Sequence, residues 1–362
     1  MRVLVGLSGG VDSSVALCLL QKQGNEVIGA TMSIWDKEKY HLKESFNLKD
    51  ACFSPHEEKD IEAAQTLCKR FNVPYYVVDC SKEYQKFVLE NFKQEYLAGR
   101  TPNPCVMCNH TVKFEALPEG ARAMGIEFEK FATGHYARVS YNKTLQRYQL
   151  RRAVDEAKDQ SYFLYRLSQD QLSKMILPLG DYTKQQVRKT ARELGLTVSD
   201  KKDSQDFYSG DVNDILEEPA KEGYFVDKSG KILGKHQGIW HFTIGQRRGL
   251  GVSADRPLYV IGLNKDRNEV VLGYEEDGYK SSMIVRDLVW VSVAQIKEKT
   301  TLAVKIRSSQ KPFSAAFEPL EGNMARLSFF EKQKAVALGQ SAVFYDEDGF
   351  VLGGGFIAQA DV

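Results

Sequence analysis

Near the N-terminus, hydrophobic positions come in short solid runs separated by amphipathic stretches. Residues 3–7 form an apolar run that predicts a buried strand, residues 12–21 carry a helical pattern, and a second apolar run fills 27–34. Strand, helix, strand in this order is the unit from which parallel sheets are built. The alternation continues. Residues 60–71 repeat apolar side chains at Ile61, Ala64, Leu67 and Cys68, residues 74–78 predict a strand, 84–97 a helix, and 130–133 a strand that ends in Gly134-His135. Residues 138–152 alternate around Asn142-Lys143, which predicts a hairpin, and 181–196 read as a basic amphipathic helix ending near Gly195. After Asp206 the pattern changes to short β-rich runs at 230–233, 241–245, 258–263, 269–272, 288–293, 301–306 and 341–344, punctuated by Gly and Asp turns. One or two small β domains should follow an N-terminal α/β domain. Open α/β sheets bind ligands outside the carboxyl ends of their strands, so residues 8–13, Met32, Cys80 and Gly134 are expected along one edge.

Composition narrows the class. The 362 residues, 43% hydrophobic and 27% charged, suit two or three globular domains, and no stretch approaches the roughly 18 apolar residues of a membrane span. No basic region followed by an apolar stretch marks the chain for secretion, so a cytoplasmic location without membrane partners is expected. A net charge of +1 rules out a uniformly basic surface and leaves nucleic-acid binding to local patches. Six cysteines (18, 52, 68, 80, 105 and 108) are too few and too unevenly spaced for a disulfide framework in so long a chain.

The segment Ser8-Gly9-Gly10-Val11-Asp12-Ser13-Ser14 follows the first strand and opens the first helix. Two glycines let backbone N–H groups approach phosphate oxygens, and the helix turns the positive end of its dipole toward them. A Walker-type loop would place a Lys before its Ser/Thr; here Val11-Asp12 stands there, which argues against γ-phosphoryl transfer and for cleavage between the α and β phosphates. The segment resembles the SGGxDS signature of the PP-loop ATP pyrophosphatases, which activate a carbonyl oxygen as its adenylate. Asp12 is a candidate Mg²⁺ or water contact, or equally a helix cap.

Thr101-Pro102-Asn103-Pro104-Cys105-Val106-Met107-Cys108-Asn109 carries the second signal. Two prolines predict a stiff loop, leading into a helix that begins near Thr111. Cys108 then lies close to a helix N-terminus, where the dipole favours a thiolate nucleophile. Cys-x-x-Cys leaves three readings open: a thiol–disulfide or persulfide pair, two ligands of a metal or Fe–S cluster, or two inert thiols. A structural zinc site would need a second matching pair, which the chain lacks.

With Ala132-Thr133-Gly134-His135-Tyr136-Ala137-Arg138, Lys158-Asp159-Gln160-Ser161-Tyr162-Phe163-Leu164, Lys201-Lys202-Asp203-Ser204, Thr243-Ile244-Gly245-Gln246-Arg247-Arg248-Gly249 and Leu338-Gly339-Gln340-Ser341-Ala342-Val343-Phe344-Tyr345, these segments together resemble the tRNA-specific 2-thiouridylases over nearly the whole chain. The resemblance implies a PP-loop catalytic domain at 1–205, a central β-rich domain at 206–280 and a C-terminal β-barrel at 281–362. It also implies ATP-dependent replacement of the C2 oxygen of the tRNA wobble uridine by sulfur, with ATP bound together with Mg²⁺ and a desulfurase or relay protein as sulfur donor. Carried over residue by residue, Gly6, Leu7, Ser8, Gly9, Gly10, Val11, Asp12, Ser13 and Met32 would hold ATP, with Gly134 at the adenosine. Asn103, Pro104 and Cys105 would face the target base; His135, Lys158, Asp159, Gln160 and Gln340 would touch tRNA; Cys108 falls on the nucleophile position.

Two positions depart from the family. Cys105 stands where Asp is usual, and Tyr208 stands where the second catalytic cysteine, the persulfide bearer, is usual. The expectation drawn from this is relocation: Cys105 takes over the work of the cysteine that Tyr208 replaces. The rival is an Fe–S cluster on Cys105 and Cys108 with a third ligand from Cys52, Cys68 or Cys80. Two other functions would fit parts of the chain: an adenylating pyrophosphatase acting on a small molecule, and a non-catalytic tRNA-binding relative. Arg247-Arg248 reads as a phosphate contact or a solvated turn, and Lys305, Arg307 and Lys311 as a charged strand face or, from the resemblance, a second basic surface for tRNA. Cys18, Trp240 and Trp290 read as packing residues.

Overall fold

A computed structural model describes residues 1–36, 51–196, 206–208 and 210–361. Its N-terminal sheet has five parallel strands in the order Tyr75–Asp79, Glu26–Ser33, Arg2–Gly6, Lys130–Ala132, Met175–Ile176. The first strand sits in the middle and buries both faces, as a period of two requires: Leu4 joins the apolar cluster on one side, Val3 and Val5 the cluster on the other. The helix Val11–Lys22 packs on the Val3/Val5 side, with Val11, Val15 and Leu17 in the same cluster as Val187 and Ala191 of the helix Lys184–Glu193. That second helix is the amphipathic stretch near 181–196, started by a capping box between Thr183 and Gln186. The cysteine-bearing segment packs on the opposite side, through Val106, Val112 and Phe114 against Leu4 and Phe131. The two faces meet at the carboxyl edge of the sheet, where the nucleotide loop and the cysteines are both found.

One expectation is corrected here. Residues 104–116 are not a stiff loop ahead of a helix at Thr111: the helix begins at Pro104, with Asn103 as its cap, and runs on through wider π-type turns over Cys108–Ala116. Proline suits the first helical position because its missing N–H would have no partner there and its fixed φ is already helical. Both cysteines are therefore helical residues.

The hairpin pairs Ala137–Asn142 with Arg147–Arg152. The central β unit is a four-stranded sheet in the order Ile232–His236, Gly223–Val226, Glu269–Gly273, Tyr259–Asn264. The run at 241–245 is not a strand; Ile239–His241 make a short helical turn that buries Trp240. The C-terminal unit is a closed barrel in the order Tyr279–Trp290, Met324–Lys334, Phe313–Leu320, Thr300–Lys305, Ser341–Tyr345, Val351–Ala360. Gly353, Gly354 and Gly355 allow the last strand to close it, since a Cβ on each would fall within 2.2–2.5 Å of a neighbouring carbonyl oxygen. Among the described residues no helix is long and apolar enough to cross a membrane.

The barrel is fastened to the N-terminal domain by two segments far apart in sequence. Tyr162 Oη donates to the Ser341 carbonyl at 2.9 Å, Ser341 Oγ to Tyr165 Oη at 3.2 Å, and Ser161 Oγ and Tyr345 Oη lie 3.3 Å apart. These tyrosines are fully buried, so their hydroxyls need such partners.

Candidate active site

The nucleotide loop is built as a backbone cradle. Gly9 has φ +64°, and a Cβ there would lie 2.8 Å from the backbone of Asp60, so both conformation and space demand glycine. Ser13 Oγ accepts from the Ser8 N–H at 3.2 Å and donates to the Gly10 carbonyl at 3.2 Å, which fixes the loop's curl. Gly10 caps the helix with no side-chain bond, leaving the first amides for an anion. Leu7 and Val11 are buried and anchor the two ends, Gly6 and Ser8 line the approach, and Met32 is half-buried near the end of its strand. Gly134 presses on the start of the same helix: a Cβ would lie 2.7 Å from Asp12 and Ser13 backbone atoms.

Asp12 is neither a cap nor an open metal ligand. Its two carboxylate oxygens accept from Lys184 Nζ at 2.9 and 2.8 Å, and Oδ1 also accepts from Tyr136 Oη at 2.8 Å. A nearby carboxylate that sequence reading missed is Asp60, whose Oδ1 lies 2.9 Å from where a Gly9 Cβ would sit. Nothing in the sequence ties Asp60 to the loop, because only the packing of the helix Glu57–Arg70 brings it there.

Cys105 is exposed and Cys108 partly so, yet burial pushes their thiols up to about 12 and about 11. The expected low-pKa thiolate at Cys108 is thus overturned: desolvation outweighs the helix dipole at that depth. Lys113 pulls both thiols partway back and pushes His135 down. It is a second residue missed from sequence, legible afterwards as a cation one π-type turn beyond Cys108.

His135 is buried, its Nδ1 2.7 Å from Thr133 Oγ1, and desolvation holds it well below its ordinary value, so it is neutral and cannot serve as a cationic phosphate contact. Its ring lies 5.6 Å from that of Phe114. Gly134 against the nucleotide loop, its neighbour His135 and Phe114 therefore link the phosphate cradle to the helical segment that carries Cys108.

The remaining candidates divide by burial. Gln160 is laced to Tyr136 through two bonds, Tyr136 N–H to Oε1 at 2.9 Å and Gln160 N–H to the Tyr136 carbonyl at 2.8 Å. The Asp159 carboxylate is fully buried, accepting from the Ala153 and Ser161 amides at 3.2 Å each and from Ser161 Oγ at 3.0 Å, with Arg152 at 3.6 Å and Lys305 at 3.7 Å. Lys305 is thus an interior partner and not part of a charged strand face; Arg307 likewise donates inward, to the Ile244 and Ala335 carbonyls. Gln340, also buried, donates to the Thr101 carbonyl at 3.2 Å and the Pro102 carbonyl at 2.7 Å, while the Thr101 N–H donates to Leu338. The barrel so grips the segment that leads into Asn103, Pro104 and Cys105. Lys158 is half-exposed, and Arg247 and Arg248 are exposed.

Cys68 lies beside Cys18 in the opposite apolar layer, Cys80 is buried with its thiol pushed up to about 12, and among the described residues no three His, Cys, Asp or Glu side chains converge as metal ligands. Tyr208 donates to Asp214 at 3.1 Å and packs its ring on Phe53. Lys201-Lys202-Asp203-Ser204 lies outside the described residues.

Three family models match the chain in succession: the tRNA methyl transferase HUP domain over residues 1–208, the tRNA methyl transferase PRC-barrel domain over 212–274, and the aminomethyltransferase beta-barrel domain over 280–357. The tRNA-specific 2-thiouridylase MnmA of Endomicrobium trichonymphae is 49% identical over 99% of this chain and 99% of its own length. That of Acetivibrio thermocellus is 44% identical over 98% and 99%. A solved 4-thiouridine synthetase–RNA complex with bound ATP aligns at a TM-score of 0.37 and 17% identity over 60% of this chain and 46% of that one, a likeness too slight to bear on function. The chain belongs to the tRNA-specific 2-thiouridylases, a family of tRNA sulfurtransferases.

Proposed function

We propose that the protein replaces the C2 oxygen of the wobble uridine of tRNA by sulfur, using ATP to make that oxygen a leaving group. The observation that carries this is that Gly134 presses on the phosphate cradle while the next residue, His135, packs on Phe114 of the same helical segment that bears Cys108. A phosphate loop alone would suit any adenylating enzyme; the adjoining pair of thiols on a helix is what a small-carboxylate enzyme has no use for.

ATP lies with its pyrophosphate on the amides of Gly9 to Ser13. Mg²⁺ bound with the triphosphate would offset part of its charge, and Asp60, beside Gly9, is a carboxylate that would hold it, Asp12 being engaged by Lys184. A uridine stacked in an anticodon loop cannot reach a phosphorus in a cleft, so the base leaves its stack and enters beside Asn103, Pro104 and Cys105. Its O2 attacks the α-phosphorus, and pyrophosphate departs. A persulfide on one cysteine of the pair attacks C2 and expels AMP; the other thiol attacks the bearer's sulfur, releasing 2-thiouridine and leaving a Cys105–Cys108 disulfide that an external dithiol reduces. The sulfur comes from a donor protein. Lys158 offers a partly exposed charge to RNA, whereas Asp159, Gln160 and Gln340 act by holding the surface that RNA meets.

The test is direct. Cys105→Ser and Cys108→Ser should each abolish 2-thiouridine in a tRNA transcript, read by nucleoside mass analysis, while ATP binding persists. Full activity in Cys105→Ser would end the relocated pair. Binding of tRNA with neither ATP consumption nor sulfur transfer in the unaltered protein would mark a non-catalytic relative.

A further inference from the structure

The turn at residues 155–160 carries Lys158, Asp159 and Gln160, and two separate arms tie it to the phosphate cradle. Asp155 shapes the turn: its Oδ1 accepts from the Ala157 N–H at 3.1 Å, and its carbonyl accepts from the Lys158 N–H at 3.0 Å. Its other oxygen, Oδ2, accepts from the Lys184 N–H at 2.8 Å, which puts a negative charge at the first residue of the helix Lys184–Glu193, where such a charge is favoured. The Lys184 ammonium in turn holds both carboxylate oxygens of Asp12. That is the first arm. The second runs from the far end of the turn: Gln160 bonds twice to the Tyr136 backbone, and Tyr136 Oη donates to Asp12 Oδ1 at 2.8 Å. Lys184 Nζ lies 5.9 Å from the Tyr136 ring, so the two arms also meet each other. Both residues are buried, where hydrogen bonds and ion pairs hold more firmly than in water.

We propose that this closed ring couples the two substrates, with Tyr136 and Asp155 as positioning residues: RNA seated on the Lys158 turn strengthens ATP binding in the cradle, and ATP strengthens RNA binding. The inference rests on the functional reading above. Asp12 is the only charged residue between Gly6 and Ser14, and its carboxylate repels a triphosphate unless Lys184 and Tyr136 keep it neutralised and turned aside. Both of those supports hang from one turn. An RNA phosphate drawn to the half-exposed Lys158 fixes that turn, and with it both supports, before the nucleotide arrives. The freedom of the ring is then lost once for two ligands, which makes the coupling positive. Thermodynamic reciprocity makes the factor the same in both directions.

The full-length protein is titrated by calorimetry with an ATP analogue carrying a methylene group between the α and β phosphates, which binds but cannot release pyrophosphate. The analogue should bind at least about fivefold tighter when a tRNA transcript bearing the wobble uridine is saturating than when it is absent. Tyr136→Phe removes only the hydroxyl that reaches Asp12, and it should bring that factor below about twofold while each ligand alone still binds. Asp155→Ala cuts the other arm and should do the same; it decides the matter if Tyr136→Phe does not fold. A merely structural role would lower the unfolding midpoint or both affinities and leave their ratio unchanged. Equal analogue affinity with and without transcript in the unaltered protein, or a factor retained in either folded variant, overturns the proposal. A transcript that fails to bind the unaltered protein overturns the functional reading instead, whereas one that binds and is thiolated with unchanged nucleotide affinity overturns the coupling alone.

Discussion

At the scale of single residues, the site contains ionisable groups whose surroundings reverse their ordinary behaviour. Burial is the leading cause of the rise at Cys105 and Cys108, with Lys113 opposing it. The thiolate is the charged form, so a raised pKa means that alkylation by iodoacetamide should climb about tenfold per pH unit from pH 7 to 9, without the plateau of an ordinary thiol near 8.5. Peptide mapping of the two sites checks this, and a curve that flattens between pH 8 and 9, as an ordinary thiol's does, would show that burial does not hold them up. Asp12 gives a second prediction. Lys184→Met should leave its carboxylate with Tyr136 alone beside the phosphate cradle, adding negative charge where pyrophosphate must bind; ATP affinity should fall by about tenfold, read by calorimetry, on the order of 1.4 kcal/mol. Retained affinity would mean that Lys184 serves only to fasten its helix. The Gly–Ser chemistry of the cradle was legible in the sequence because it is local. The role of Asp12 was not, since its partners lie 124 and 172 residues away and only the packed sheet brings them to it.

At the scale of elements, the sequence pattern located the strands that build the catalytic edge, and it failed where two propensities competed. Pro102 and Pro104 read as breakers, yet Pro104 sits where a proline starts a helix. The strand Met175–Ile176 has two residues, too few to carry a period. The barrel strand Val351–Ala360 was hidden by three glycines that disfavour strands in general and are required here by close carbonyls. The segment ahead of the cysteine helix has a testable mechanical role. It is gripped by Gln340 from the barrel, so Gln340→Ala should free the Thr101 and Pro102 carbonyls at a cost of about 1–3 kcal/mol. Sulfur transfer should drop more than ATP binding, because the grip acts on the thiol-bearing element and not on the cradle; single-turnover thiolation beside nucleotide titration separates the two. An equal fall in both would place the defect in general stability.

For the whole molecule, the motifs that resemble a tRNA-binding set largely form the seam between catalytic domain and barrel. Asp159 is the clearest case: its carboxylate is inaccessible to solvent, takes three neutral hydrogen bonds from its own domain, and faces Arg152 and the interior Lys305 of the barrel. An ion pair at such depth contributes little over an apolar replacement but is costly to break from one side. Desolvation lowers the Lys305 ammonium and Asp159 raises it back, so the Lys305 charge leans on Asp159. Lys305→Met should therefore cost less than Asp159→Asn, because Asp159 keeps Arg152 and three donors after the first change, whereas the second leaves a buried ammonium uncompensated, a loss of about 3–5 kcal/mol. The double variant should be more stable than the sum of the single losses, as expected for groups in contact. Denaturant titration of the four proteins measures the coupling, and tRNA affinity measured on the same samples separates the two roles this residue could have. A structural Asp159 changes stability and lets affinity follow it, while an RNA contact would change affinity with the unfolding midpoint intact. Strict additivity would show that the seam is held by its tyrosines and not by this charge triad, and the barrel would then grip the cysteine helix through Gln340 and Leu338 with no electrostatic latch behind them.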